Sequence, residues 1–261
     1  MFCRPFSIVA ALVISQSTGA QQPGSSTGLL RGALAKQSAG DYATARTILT
    51  NALLEAPTSG PLLNALGSVQ QDLGEYLEAE RSYIRALGIF ARSDNDPERI
   101  AVLNNLCTLY LETNQYSKGE RVREQFESLP PEALARQPMS KVAFLELSGS
   151  LEHVRNRDDR AERYYTLALE LLRHTESSAS VLAASIESNL GFLRLESQRY
   201  ESAEGFFRQA MHDIEMAAGP EHPLLIRILV NSAICENMLG HAKEAELLAR
   251  RAVELSGRIY G

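Results

Sequence analysis

Small residues recur at one helical position along this chain. Ala45, Ala79, Gly119, Ala161, Ala203 and Ala245 are spaced 34, 40, 42, 42 and 42 residues apart. Each lies within an amphipathic helical pattern, and a period of this length marks an array in which no unit can bury its apolar face alone. The expected class is therefore all-α, an α-solenoid of about six antiparallel helix pairs. The units fall at approximately 28–59, 60–95, 96–137, 138–178, 179–221 and 222–261.

The second unit shows the pattern best. Leu62, Leu63, Leu66, Val69 and Leu73 form one apolar stripe, and Tyr76, Ala79, Tyr83, Ala86 and Leu87 form another. Between them, Gly74 supplies the reversal. Ser59-Gly60-Pro61 opens the first helix, with Pro in the first turn where its missing N–H costs nothing.

Leu66-Gly67, Gly74, Tyr76, Ala79, Tyr83 and Ala86 resemble the signature of the tetratricopeptide repeat. Leu190-Gly191, Tyr200, Ala203, Phe207 and Ala210 repeat it in the fifth unit. Partial versions are Gly40, Tyr42, Ala45 and Leu49 in the first unit, and Gly149, Ala161, Tyr165 and Ala168 in the fourth. The third replaces the key Ala with Gly119, and the sixth has Ala249 where others carry an aromatic residue. The longer period, Asn189-Leu190 and Gly219-Pro220-Glu221-His222-Pro223 resemble the kinesin-light-chain-like subgroup. The resemblance spans residues 28 to 259. It implies a right-handed solenoid that binds a protein or extended peptide in a groove lined by the first helix of each unit.

In that family the residue before the conserved Leu points into the groove. Here the position holds Arg31, Ala65, Asn105, Leu147, Asn189 and Asn231. Asn offers both a donor and an acceptor, so Asn105, Asn189 and Asn231 are expected to clamp a peptide backbone. The alternative is that they bond neighbouring turns or water. Asn104, Thr108, Ser188, Arg227 and Asn237 are expected to complete the lining, with Ser68, Glu146, Phe192 and Ile234 nearby. Leu247, Leu248, Val253 and Leu255 in the last helix are expected to be partly uncovered, which would allow self-association through that end.

The N-terminus is of another kind. Arg4 precedes an almost uninterrupted apolar run, Phe6 to Ser15, and Thr18-Gly19-Ala20 places small residues before Gln21. These are the parts of a secretory signal peptide, residues 1–20, and its run of about ten residues is short of the roughly 20 that span a bilayer. Residues 21–27 read as a linker. The expected location is exported, periplasmic or secreted, and bacterial.

The net charge of -6 argues against non-specific nucleic-acid binding. Cys107 and Cys235 are separated by two units and are expected to be buried free thiols. The five histidines show no helical metal-ligand spacing, and neither a phosphate-cradling loop nor a Gly-x-Ser-x-Gly elbow occurs. No cofactor, metal or enzymatic activity is expected; His222 reads as part of a helix start.

Overall fold

The computed structural model describes residues 26–91, 96–174 and 180–261. The expected signal peptide and residues 21–25 lie outside these. Among the described residues all regular structure is helical: α1 (Ser26–Ser38), α2 (Tyr42–Glu55), α3 (Gly60–Asp72), α4 (Tyr76–Phe90), α5 (Asp96–Glu112), α6 (Tyr116–Glu127), α7 (Pro131–Ala135), α8 (Pro138–His153), α9 (Asp158–Arg173), α10 (Val181–Glu196), α11 (Tyr200–Ala218), α12 (Leu224–Met238) and α13 (Ala242–Tyr260). The last two residues of the expected linker, Ser26 and Thr27, are helical. Small polar residues are at home in a first helical turn, where amides lack intrahelical partners. The described chain forms two compact units, residues 26–140 and 141–261.

In the first unit α1/α2, α3/α4 and α5/α6 are antiparallel pairs, and each reverses in the same way. Gly40, Gly74 and Asn114 have φ of 77°, 77° and 56°. In the α3/α4 reversal the Gly74 amide donates to the Gln71 carbonyl (2.9 Å), and the Glu75 amide donates to the Gln70 carbonyl (2.8 Å). This pair of bonds satisfies the orphan carbonyls of the ending helix and turns the chain back. The second unit repeats it. Asn156, Gln198 and Gly240 have φ of 57°, 60° and 86°, with the same two backbone bonds at each turn. Only half of these left-handed positions hold glycine.

Packing within the pairs follows a second rule. A Cβ added at Gly67 would lie 2.6 Å from the Tyr83 ring, one at Gly149 2.5 Å from Tyr165, and one at Gly191 2.7 Å from Phe207. All three rings are buried, so an aromatic side chain from the second helix rests on bare backbone of the first. Ala33 faces Leu49 at the matching positions of the first pair, a larger residue opposite a smaller one. In the third pair these positions hold buried Cys107 and Arg123, whose guanidinium turns to Glu120 and Glu127.

Side chains also stitch successive first helices together. Gln37 of α1 donates to Ser68 (2.8 Å) and Asp72 (2.6 Å) of α3, and Gln71 of α3 donates to Glu112 of α5 (2.8 Å). One element was not anticipated. The short α7 starts at Pro131, whose fixed φ suits a first helical position, and buries Ala133. It fills part of the longer spacing between the third and fourth pairs. In the last helix Leu247 and Val253 are exposed, as expected. Leu255 is buried instead, because it faces the cluster of Leu225, Ile228 and Leu229 on α12.

Burial also strands one acid. Glu187 of α10 has a carboxylate oxygen shut off from solvent without a hydrogen-bond partner. Burial raises its pKa to about 8, helped by Asp213 and opposed by Arg173. Below pH 4.5 it is neutral whether the chain is folded or unfolded, and it costs nothing. As pH rises toward 8 the unfolded chain ionises while the folded one holds its proton, so stability is lost across that window. Glu187→Gln is expected to raise Tm more at pH 8 than at pH 5, read by thermal melts at both values; an equal effect at the two would refute the assignment.

Glycine substitutions separate the two backbone roles. Gly191→Ala is expected to destabilise by about 1–3 kcal/mol through its clash with Phe207, despite the better helix propensity of Ala. Gly205→Ala, where the added carbon meets nothing within 4 Å, is expected to stabilise by about 0.5–1 kcal/mol. Adding Phe207→Leu to Gly191→Ala recreates the Ala/Leu pairing of the first unit and is expected to recover part of the loss. At the fifth reversal, Gln198→Gly removes a left-handed side-chain penalty and is expected to stabilise by roughly 0.5–1 kcal/mol. Urea unfolding midpoints measure all four.

Candidate functional site

The unit of residues 141–261 presents a continuous set of chemical groups on its first helices α8, α10 and α12. Glu146 of α8 is the hub. Ser185 of α10 donates its hydroxyl to the Glu146 carboxylate, and the Asn189 amide donates to the same oxygen at 3.3 Å. Burial raises the Glu146 pKa, while the Ser185 bond, the Arg227 charge and the Asn189 bond pull it back down. Three successive pairs therefore meet through one acid. One turn beyond Asn189 along α10, the Phe192 ring meets the edge of His153 of α8, centroids 5.7 Å apart.

On α12 the character changes. Arg227 and Asn231 are half-buried, and Asn231 makes no hydrogen bond with the described residues. Val230, Ile234 and Met238 follow one another at helical spacing and are 43%, 48% and 51% exposed. Their opposite face, Leu225, Ile228 and Leu229, is core. Asn237 is exposed nearby, and Ser188 of α10 is buried with its hydroxyl unbonded. This surface combines a free amide, an apolar ridge and a guanidinium held beside a carboxylate. Such a set can bind the backbone and one or two apolar side chains of another chain.

The expected clamp residues do not share one situation. Asn105 is 2% exposed, and its amide donates to the side-chain Oδ1 of Asn64 on α3 at 3.0 Å. Asn104 is fully buried, its amide bonded to the Ser140 backbone carbonyl (3.1 Å), and Thr108 is buried and bonds the Asn104 carbonyl. The expectation that Asn104, Asn105 and Thr108 line an open groove is therefore corrected: a buried amide must be bonded, and here the partners are inside the unit. Ala65 and Leu147, at the same repeat position as Asn105, are buried as well, whereas Arg31 is exposed. Asn189 is half-committed through Glu146. Of the three asparagines, Asn231 alone retains a free amide.

Other expectations resolve plainly. Cys107 and Cys235 are free and buried; burial pushes their pKa values up, to about 12 and about 11, leaving no thiolate at neutral pH. His222 accepts a hydrogen bond from the Leu224 amide at 3.2 Å and so caps the start of α12. Missed by sequence reasoning were Val230 and Met238, which extend Ile234 into an exposed ridge. Its spacing was visible, but an apolar residue at a helical position reads as core until the packing of α12 is known. No described helix is long and apolar enough to cross a membrane.

A profile of the tetratricopeptide repeat matches residues 58–121 and 182–257, more than half of the chain. A search of curated proteins finds no match. Among solved structures, BtubC (BKLC) from P. vanneervenii aligns over 94% of each chain at 19% identity and TM-score 0.63. PilW, a widely conserved type IV pilus biogenesis factor, aligns over 90% of this chain and 94% of its own, at 15% identity and TM-score 0.64. A Rap protein complexed with competence and sporulation factor aligns over 89% and 75%, at 12% identity and TM-score 0.60. At these identities the likeness is one of fold, the all-α tandem-repeat class that the period required. With the profile match, the left-handed reversals and the glycine-on-aromatic packing, this chain belongs to the tetratricopeptide repeat family.

Proposed function

We propose that this protein is an exported scaffold that binds an extended segment of another protein along α10 and α12. The observation that carries the reading is the apolar ridge of Val230, Ile234 and Met238 standing in solvent beside the free Asn231 amide. Exposed apolar side chains in register along one helix are costly to leave in water and reward a partner that covers them. Asn231 and Asn189 supply bonds to a peptide backbone, while Arg227 and Glu146 set the charge that a ligand must match. Proteins built from these repeats are generally scaffolds rather than enzymes, which agrees with the lack of a nucleophile–base pair among the residues singled out. A Rap protein of the same fold is complexed with competence and sporulation factor, which supports a binding role. Export rests on Arg4, the apolar run from Phe6 and the small residues at Thr18-Gly19-Ala20.

A second reading has its own observation. Leu247 and Val253 of α13 are 60% and 71% exposed, which suits assembly into an envelope complex, or self-association, through that helix. The two readings separate in one experiment. The chain and an Asn231→Ala/Ile234→Ala/Met238→Ala variant, matched by circular dichroism, are used for affinity capture from native envelope or culture extract. Loss of the captured protein by the variant, with at least about a tenfold fall in affinity, is the expected result. Equal retention would move binding to α13, where Leu247→Ser/Val253→Ser would then abolish it.

A further inference from the structure

The ends of α8, α9 and α10 bring together three side chains that sequence spacing does not connect. His153 is the last residue of α8, Asp158 the first of α9 and Glu196 the last of α10. The His153 Nδ1 lies 2.9 Å from an Asp158 carboxylate oxygen, and its Nε2 lies 3.6 Å from one of Glu196. One donor atom from each of the three falls within 4.8 Å of the others.

We propose that His153, Asp158 and Glu196 form a binding site for a divalent transition-metal cation. One imidazole nitrogen and two carboxylate oxygens act as ligands, and water or a bound segment takes the remaining position. Charge supports it. A neutral imidazole with two carboxylates carries two negative charges, which a divalent cation cancels. Three neighbouring arginines are directed elsewhere: Arg157 and Arg160 toward Glu152, and Arg194 toward Glu162. Geometry supports it as well. A four-coordinate zinc with bonds of about 2.0–2.2 Å needs donors about 3.3–3.5 Å apart. The half-exposed carboxylates reach that spacing by side-chain rotation. The imidazole is already held in place, its ring meeting Phe192 edge-on.

Each ring nitrogen faces a carboxylate, so all three side chains converge on one point. A cation takes up one nitrogen together with both acids. It would tie the α8/α9 pair to α10 beside Phe192, next to the surface proposed above for peptide binding. The metal site stands independently of that proposal.

The test is isothermal titration of the full chain with zinc chloride in chelator-free buffer, paired with thermal melts. One equivalent is expected to bind and to raise Tm. Affinity should fall at least about tenfold in Asp158→Asn, Glu196→Gln and His153→Ala. His241→Ala, which alters the other His–Glu contact of this unit, should bind as the parent does. The two carboxylate variants change exposed residues and leave the fold intact, so their result is decisive even if His153→Ala is poorly folded. No heat and no Tm shift with zinc, binding unchanged in Glu196→Gln and Asp158→Asn, or binding lost in His241→Ala would overturn the proposal.

Discussion

Every pair of long helices in this protein depends on one backbone residue in the left-handed region. At residues 40, 74, 114, 156, 198 and 240 the chain leaves a helix with φ between 56° and 86° and returns antiparallel to it. Two backbone hydrogen bonds close each reversal. Everything further out inherits its register from this turn. Five residues past it comes the small residue that gives the sequence its period, and four beyond that comes the one that faces the first helix. L side chains oppose the conformation by about 1–2 kcal/mol. That Asn114, Asn156 and Gln198 nevertheless adopt it shows that burial of the paired faces outweighs the local penalty.

The second constraint is a sum of sizes rather than an identity. Across six pairs, the position on the first helix and the one it faces on the second hold Ala/Leu, Gly/Tyr, Cys/Arg, Gly/Tyr, Gly/Phe and Ala/Ala. Where the ring is large the facing residue is glycine, and where the ring is gone a side chain returns. Close packing demands this exchange, since a void forfeits contacts and a clash displaces backbone. Arg123 is instructive. Its guanidinium leaves the pair for Glu120 and Glu127, and Cys107 takes the glycine position beneath it.

These two constraints explain what was legible in the sequence. Period and size pattern are properties of local backbone and of adjacent residues, so the helix pairs, the reversal at Gly74 and the family could be read directly. The extra helix α7 could not, because Pro131 also suits a plain turn. The site was legible only in part. Asn105, Asn189 and Asn231 share a repeat position, but what each bonds depends on the residue one unit earlier. Asn64 stands there for Asn105 and Glu146 for Asn189. The trio His153, Asp158 and Glu196 was illegible for a similar reason. Glu196 lies 38 residues beyond Asp158, and only the stacking of α10 on the preceding pair brings them together.

The asparagines also show how such an array acquires a specific surface. At Asn105 and Asn189 an amide on a first helix bonds the preceding unit, since a buried donor left unpaired costs more than the bond itself returns. Asn105 spends its donor in this way and serves cohesion. Asn189 is spent on an acid that Arg227 also attracts, so its bond is one that a competing ligand can share or replace. Asn231 makes no such bond, and beside it the helix turns apolar at Val230, Ile234 and Met238. In the proposed function, recognition concentrates where internal bonding runs out. On this chain that place is α12, and the same logic makes the proposed ligand's first anchor apolar and its backbone bonds secondary.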